Sequence, residues 1–157
     1  KDKATGQNKR ARGTAETIGK EIPADAQDVA ITQSSGRIET FVTVGKPSAL
    51  KPIGQGLELI VAGSPTDLVK GEKASFTLNL DGQPAKNLDV TVTAGNTQYR
   101  DKLEEIKLKT DDKGQFSVTW PTAGMYWIDA NTKDNKTTMP QAKERRLSYA
   151  ATVEVMP

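Results

Sequence analysis

The chain has 157 residues, with 22 Lys and Arg against 20 Asp and Glu and a hydrophobic content of 35 %, which suits one domain with a single core and an attached segment. Neither Cys nor His occurs, which removes cysteine and serine-histidine nucleophile systems together with the usual zinc, copper and haem ligands. The net charge of +2 gives no general case for nucleic acid or an anionic membrane and leaves only a local basic patch open. No apolar run nears membrane-spanning length and no leader peptide opens the sequence, so a soluble chain is expected whose export signal, if it has one, lies outside it.

Residues 1–28, beginning K-D-K-A-T-G-Q-N-K-R-A-R-G, are basic and poor in large apolar side chains. They read as a flexible or loosely attached tail without regular structure, although Ile18, Ile22 and Pro23 could pin part of it to a surface. Residues 29–157 read as a series of short strands. Ile38, Thr40, Val42 and Val44 give a first alternating face, ended by Gly45-Lys46-Pro47-Ser48, and Leu57, Leu59 and Val61 give a second. Ala74, Phe76, Leu78 and Leu80 alternate with Ser75, Thr77 and Asn79, and after the Asp81-Gly82-Gln83-Pro84 turn Leu88, Val90, Val92 and Ala94 return as a hairpin or a sheet-to-sheet arch.

Gly95 to Glu105 reads as a long exposed loop, and Ile106 and Leu108 lead into the clearest stretch, Thr110 to Ala130. There Asp111-Asp112-Lys113-Gly114 has the chemistry of an Asx-type turn closing a short hairpin. Phe116, Val118 and Trp120 alternate with polar residues, Pro121 and Gly124 make a corner, and Tyr126, Ile128 and Ala130 resume the alternation. Tyr126 is expected to point inward with its hydroxyl on a backbone group near that corner. Asn131 to Arg145 reads as a polar loop with a helical turn at Gln141 to Arg145, before Leu147, Tyr149, Ala151, Val153 and Val155 form the longest strand. Roughly eight strands at near-regular spacing, with almost no helical period, predict an all-β, antiparallel two-sheet sandwich, immunoglobulin-like or transthyretin/carboxypeptidase-regulatory-like.

A set of segments stands in a distinctive order: G-L-E-L-I from Gly56, P-T-D-L from Pro65, L-D-G-Q-P from Leu80, Tyr99-Arg100, T-D-D-K-G-Q-F from Thr110 and P-T-A-G-M-Y-W from Pro121. Together they resemble the C-terminal β-sandwich of the bacterial periplasmic DUF4198 family, which is associated with nickel or cobalt uptake. R-I-E-T-F-V-T-V-G from Arg37 and R-R-L-S-Y from Arg145 extend the likeness over most of Val29 to Val155. The T-D-x-x-G-x-F and P-x-x-G-x-Y elements alone also occur in carboxypeptidase-regulatory-like, transthyretin-like and Cna-B-like domains. The resemblance implies an exported bacterial protein. It also implies a histidine-containing N-terminal β domain, beyond which this chain is expected to start. The metal association finds no imidazole or thiolate here.

Among candidate sites, Asp111 and Asp112 invite calcium, but Thr122 stands where a calcium loop would place its closing Glu, so the turn is the preferred explanation. Gly54-Gln55-Gly56 precedes a strand instead of opening a helix, so it reads as a bend and not a phosphate loop. Adjacent Glu104 and Glu105 point oppositely in an extended chain and read as a solvated loop. Asn135-Lys136-Thr137 fits a glycosylation sequon that a bacterial source makes a chance match.

Tyr99, Arg100, Arg145 and Arg146 are the candidates for ligand or partner binding, because arginine grips carboxylate or phosphate bidentately and tyrosine adds rigid area. Surface ion pairing with Asp101, Glu104 or Glu144 is the preferred alternative. The expected function is a non-enzymatic, exported binding or accessory module of the cell envelope, assisting metal or small-ligand uptake. No catalytic residues, cofactor, metal or nucleic acid are expected, and the partner is a protein or small ligand of the envelope. The alternative is a structural or adhesion-type sandwich linking envelope components.

Overall fold

The computed structural model describes residues 5–157, apart from the side chain of Tyr99. Short alternating segments separated by turn residues become ten strands, with one helical turn, α1 (Ile18–Glu21), before them. The strands are β1 (Thr32–Thr40), β2 (Leu57–Val61), β3 (Leu68–Val69), β4 (Lys73–Leu80), β5 (Gln83–Pro84), β6 (Asp89–Ala94), β7 (Ile106–Lys109), β8 (Gln115–Thr119), β9 (Gly124–Asp134) and β10 (Glu144–Met156). A 3-10 turn at Thr97–Tyr99 sits in the loop between β6 and β7.

The chain divides into two compact units, and β1, β9 and β10 have residues in both. The first comprises the described residues of 1–34 with Lys133–Arg146. Within it the Gln33 amide donates to Thr138 Oγ1 at 2.8 Å and accepts from the Thr138 N–H at 2.8 Å, and the Lys143 N–H donates to the Ile31 carbonyl at 3.2 Å. Thr14 accepts the N–H groups of Thr17 and Ile18 at 3.2 and 3.0 Å, which starts α1, and Ile18 is buried. The expectation of no regular element before residue 28 is therefore corrected by this single turn. One four-residue turn is too short to persist on propensity alone, so it is the buried Ile18 that accounts for it.

The second unit, Ser35–Thr132 with Leu147–Pro157, contains the whole continuous core. A six-stranded sheet runs β1-β10-β9-β6-β7, with β3 paired in parallel to the end of β10, and a four-stranded sheet runs β2-β4-β5, with β8 also on β4. The remaining registers described for the pairs are antiparallel: Leu59 opposes Leu78, Phe76 opposes Phe116, and Val92 opposes Ile128. Their buried faces meet in a core where Phe76 stacks on Phe116 at 5.2 Å and Trp120 lies edge-on to Tyr126 at 5.0 Å between ring centroids. Side-chain alternation thus produces the all-β sandwich predicted, with ten strands instead of about eight.

Three local expectations are corrected. β1 ends at Thr40, and Ile38, Val42 and Val44 are 80 %, 81 % and 93 % exposed. The inward positions of this edge strand are taken instead by Arg37 and Glu39, with half-buried Phe41 following. The Asp111–Gly114 turn is not a hairpin loop, because β7 belongs to one sheet and β8 to the other. The corner expected at Pro121 is present and joins β8 to β9 across the sheets. Finally, the polar segment after Asn131 is strand as far as Asp134, β10 already begins at Glu144, and no helix forms at Gln141 to Arg145. The stretch from Leu80 to Leu88 resolves as an arch, since β4 and β6 lie in different sheets.

The crossing turn is held from both sides. Asp111 Oδ1 accepts the N–H groups of Lys113 and Gln115, each at 2.8 Å, so it is the Asx turn expected of that sequence. Buried Thr110 donates its hydroxyl to the Ala85 carbonyl at 2.6 Å and accepts the Leu88 N–H at 2.8 Å, while Gly114 accepts the Leu78 N–H at 2.8 Å. Gly114 has φ +74°, and a Cβ there would stand 2.5 Å from the Leu78 carbonyl oxygen. No other residue type passes there without displacing backbone.

Candidate functional site

A sandwich edge normally turns apolar side chains inward or leaves them in water. Here β1 and β2, an edge strand of each sheet, carry three charged residues that engage one another. Glu58 interrupts the apolar run L-E-L-I-V and is 3 % exposed. Its carboxylate accepts the Ile53 N–H at 2.8 Å and the Gly54 N–H at 3.1 Å, and Arg37 Nη1 donates to it at 3.4 Å. Gly54 and Gly56, at φ +76° and +67°, supply the left-handed turns that aim those two amides back at the strand. Asp81 fixes the far side of the bend by accepting the Gly56 N–H at 2.9 Å.

The second half of the network starts from β10. Tyr149 is fully buried and donates its hydroxyl to Glu39 Oε2 at 2.6 Å. Burial first, and then that hydrogen bond to a carboxylate, push the Tyr149 hydroxyl well above the ordinary phenol range. Arg37 lies between the two acids, 3.8 Å from Glu39 Oε1, and its Nη2 donates to the Gln55 carbonyl at 3.1 Å. A buried carboxylate is tolerated because each of its oxygens meets an N–H or a guanidinium. Glu39 is the more accessible acid, its side chain 29 % exposed against 4 % for Glu58. Its Oε1, held among the described residues only by the long contact to Arg37, is the atom best placed to accept from an incoming donor.

Arg37, Glu39 and Glu58 line an open cavity of about 680 Å³, bordered also by the irregular segment from Phe41 to Ile53 and by Ile60, Val61 and Pro65. Thr43 and Thr66 share a hydrogen bond of 2.8 Å within that lining. Pockets of this size hold small molecules, with an apolar wall and a few fixed polar groups. Among the described residues no three Asp, Glu, His or Cys side chains group where they could hold a metal ion.

The sequence-predicted residues fall elsewhere. Arg100 donates through Nη2 to the carbonyls of Ala94 and Gly95, and its Nη1 lies 3.6 Å from Glu104. Arg145 grips Asp134 bidentately, Nε to Oδ1 at 2.9 Å and Nη2 to Oδ2 at 2.6 Å, and is mostly buried. That hydrogen bond, more than any other effect, holds the Asp134 carboxyl below the usual range. Arg146 donates to Glu144 at 2.7 Å, and with Lys133 it lowers the Glu144 carboxyl too. Arg100 belongs to the second unit and Arg145 and Arg146 to the first, while the side chain of Tyr99 lies outside the described residues. The pairing partners of Arg100 and Arg146 are Glu104 and Glu144, as the ion-pair reading has them.

Arg37, Glu39 and Glu58 were missed because the apolar alternation Ile38-Thr40-Val42-Val44 outweighed the charges between its members. A signal was present: opposite charges two residues apart on one strand face, and a single acid inside an apolar run directly after G-Q-G.

The class this fold defines is an all-β, two-sheet sandwich, an architecture that by itself assigns no activity. The chain belongs to the DUF4198 family, a domain of unknown function, whose match covers residues 3–134. That match takes in the N-terminal segment and stops at the end of β9, so it starts and ends earlier than the stretch carrying the sequence resemblance. Comparison with curated proteins and with solved structures gave no match. No helix among the described residues is long and apolar enough to cross a membrane.

Proposed function

We propose that the chain is a non-enzymatic, exported binding or accessory module of the bacterial cell envelope that takes a small ligand in the cavity beside Arg37, Glu39 and Glu58. The observation that carries this reading is the gathering of buried Glu58 and half-buried Arg37 and Glu39 at a sandwich edge, where they line a cavity of about 680 Å³. Such groups cost stability relative to apolar packing and are retained where they serve recognition. With Oε1 of Glu39 the least engaged oxygen, the ligand is one with a hydrogen-bond donor or a cationic group. In a setting of metal uptake it is a chelate or organic solute, since tight binding of bare nickel or cobalt calls for ligands this chain lacks.

Screening small amines, amino acids and metal chelates by amide chemical-shift mapping tests the proposal. The expected shifts are confined to Arg37–Ile53 and Glu58–Thr66 and are weakened in Glu39→Gln, whereas shifts scattered over the sandwich or absent with every class would refute it. Calorimetry with nickel, cobalt or zinc alone is expected to give no submicromolar stoichiometric signal.

A further inference from the structure

The segment from Val42 to Ile53, which also borders the cavity, carries a second feature. Every residue in it is exposed and none belongs to a strand or helix. It nevertheless presents Val42 at 81 %, Val44 at 93 %, Leu50 at 57 % and Ile53 at 66 % exposure, four of the ten large apolar side chains exposed in the described chain. Between Thr40 and Leu57 the only charged residues are Lys46 and Lys51, with no acid. Aliphatic side chains left in water are ordinary when scattered, but four on one irregular loop form a patch that calls for a cover.

The chemistry of the cover follows from the composition. Protein interfaces favour aromatic residues and arginine at their centre and deplete lysine, and the only aromatic ring in this stretch, Phe41, is turned half inward against the core. Aliphatic tips flanked by lysines, with no acid among them, match the boundary of an anionic bilayer, where the apolar groups enter the headgroup layer and the ammonium groups meet phosphates. Pro47 and Pro52 limit the freedom the loop loses on docking. Of the acids nearby, Glu58 is buried against Arg37 and two amides, Glu39 is bonded to Tyr149 and faces Arg37, and exposed Asp67 follows Thr66, the partner of Thr43.

We propose that the segment from Val42 to Ile53 docks the protein peripherally on an anionic lipid surface. The test is co-sedimentation with vesicles of phosphatidylcholine and phosphatidylglycerol in equal parts, set against vesicles of phosphatidylcholine alone. Binding is expected to the mixed vesicles and to fall as salt is raised. Lys46→Gln and Lys51→Gln should each lower partitioning about fivefold, and Leu50→Ser about tenfold. Because these side chains are exposed, the thermal midpoint of each variant should match that of the parent. Val44→Ser serves as a second apolar probe if Leu50→Ser melts early. Equal binding to both vesicle types, no binding to either, or indifference to both lysine substitutions would overturn the proposal. So would concentration-dependent self-association, abolished by Leu50→Ser without any vesicle binding, which assigns the patch to a second copy of the chain.

Discussion

Replacing Tyr126 by Phe removes one oxygen from the corner between β8 and β9 and leaves the rest in place. The hydroxyl donates to the Thr122 carbonyl at 2.9 Å, accepts the Thr122 N–H at 3.2 Å and lies 2.9 Å from Thr122 Oγ1. Tyr126 is 2 % exposed and its ring packs on Trp120, so the phenyl ring keeps its burial and its edge-on contact. Thr122 is itself exposed, so water can reach the N–H and carbonyl that lose their partner. The loss is therefore the net worth of the hydrogen bonds and not the full penalty of orphaned buried groups, about 1–1.5 kcal/mol in all. For a domain of this size that lowers the thermal midpoint by roughly 3–5 °C. Urea melts followed by tryptophan fluorescence should show a lower midpoint with an unchanged slope. An unchanged midpoint would mean that the hydroxyl does not pin the corner. A loss above about 3 kcal/mol would show that ring packing, not the hydrogen bonds, had been disturbed.

Gly114→Ala should destabilise by about 2–4 kcal/mol, combining a left-handed backbone with a collision on the Leu78 carbonyl. Gly82→Ala, at φ +75° with nothing closer than 3.7 Å to its new Cβ, should cost only about 1 kcal/mol, and equal losses in denaturant melts would contradict the steric part. Glu58→Gln keeps the shape but leaves one amide or the Arg37 guanidinium without its carboxylate, so a loss of about 2 kcal/mol is expected, and an unaltered melt would remove Glu58 from the network. The Asp134 carboxyl is lowered in the folded chain, so its contribution is present above about pH 4 and disappears as pH falls through the lower folded value. Amide protection in Lys133–Arg146 should drop on acidification and become indifferent to pH in Asp134→Asn. Tyr149 has the opposite sign: its hydroxyl is raised, so stability holds up to about pH 10 and declines above it, a decline that Tyr149→Phe should flatten.

Most of the sandwich could be read from side-chain alternation, because Phe76 and Leu78, Val90 and Val92, and Tyr149 to Val155 are buried on the face their spacing assigns. The corner role of Tyr126 was legible for the same reason, with a glycine and a proline marking where the chain turns. What alternation does not encode is the partner. Asp111-Asp112-Lys113-Gly114 makes the same turn whether its flanking strands pair with each other or leave for opposite sheets, and only the bonds of Thr110 to the arch residues Ala85 and Leu88 and of Gly114 to Leu78 of β4 decide it. The edge site was illegible on similar grounds. Arg37 and Glu39 look like solvent-facing charges until Glu58 and Tyr149, distant in sequence, are brought beside them.

The sheet-crossing turns also set how the chain must fold. β4 is followed by an arch to β6, β7 by a crossing to β8, and β8 by a corner to β9, so along this stretch only β4 with β5 and β6 with β7 zip up with the next strand in sequence. Closing chain loops must precede most of the pairing, and the entropy of those closures comes before any contact offsets it. Folding is then expected on the millisecond-to-second scale of all-β sandwiches. During that interval β2 and β4, which hold Leu57, Leu59, Phe76 and Leu78, are exposed apolar strands open to the wrong neighbour.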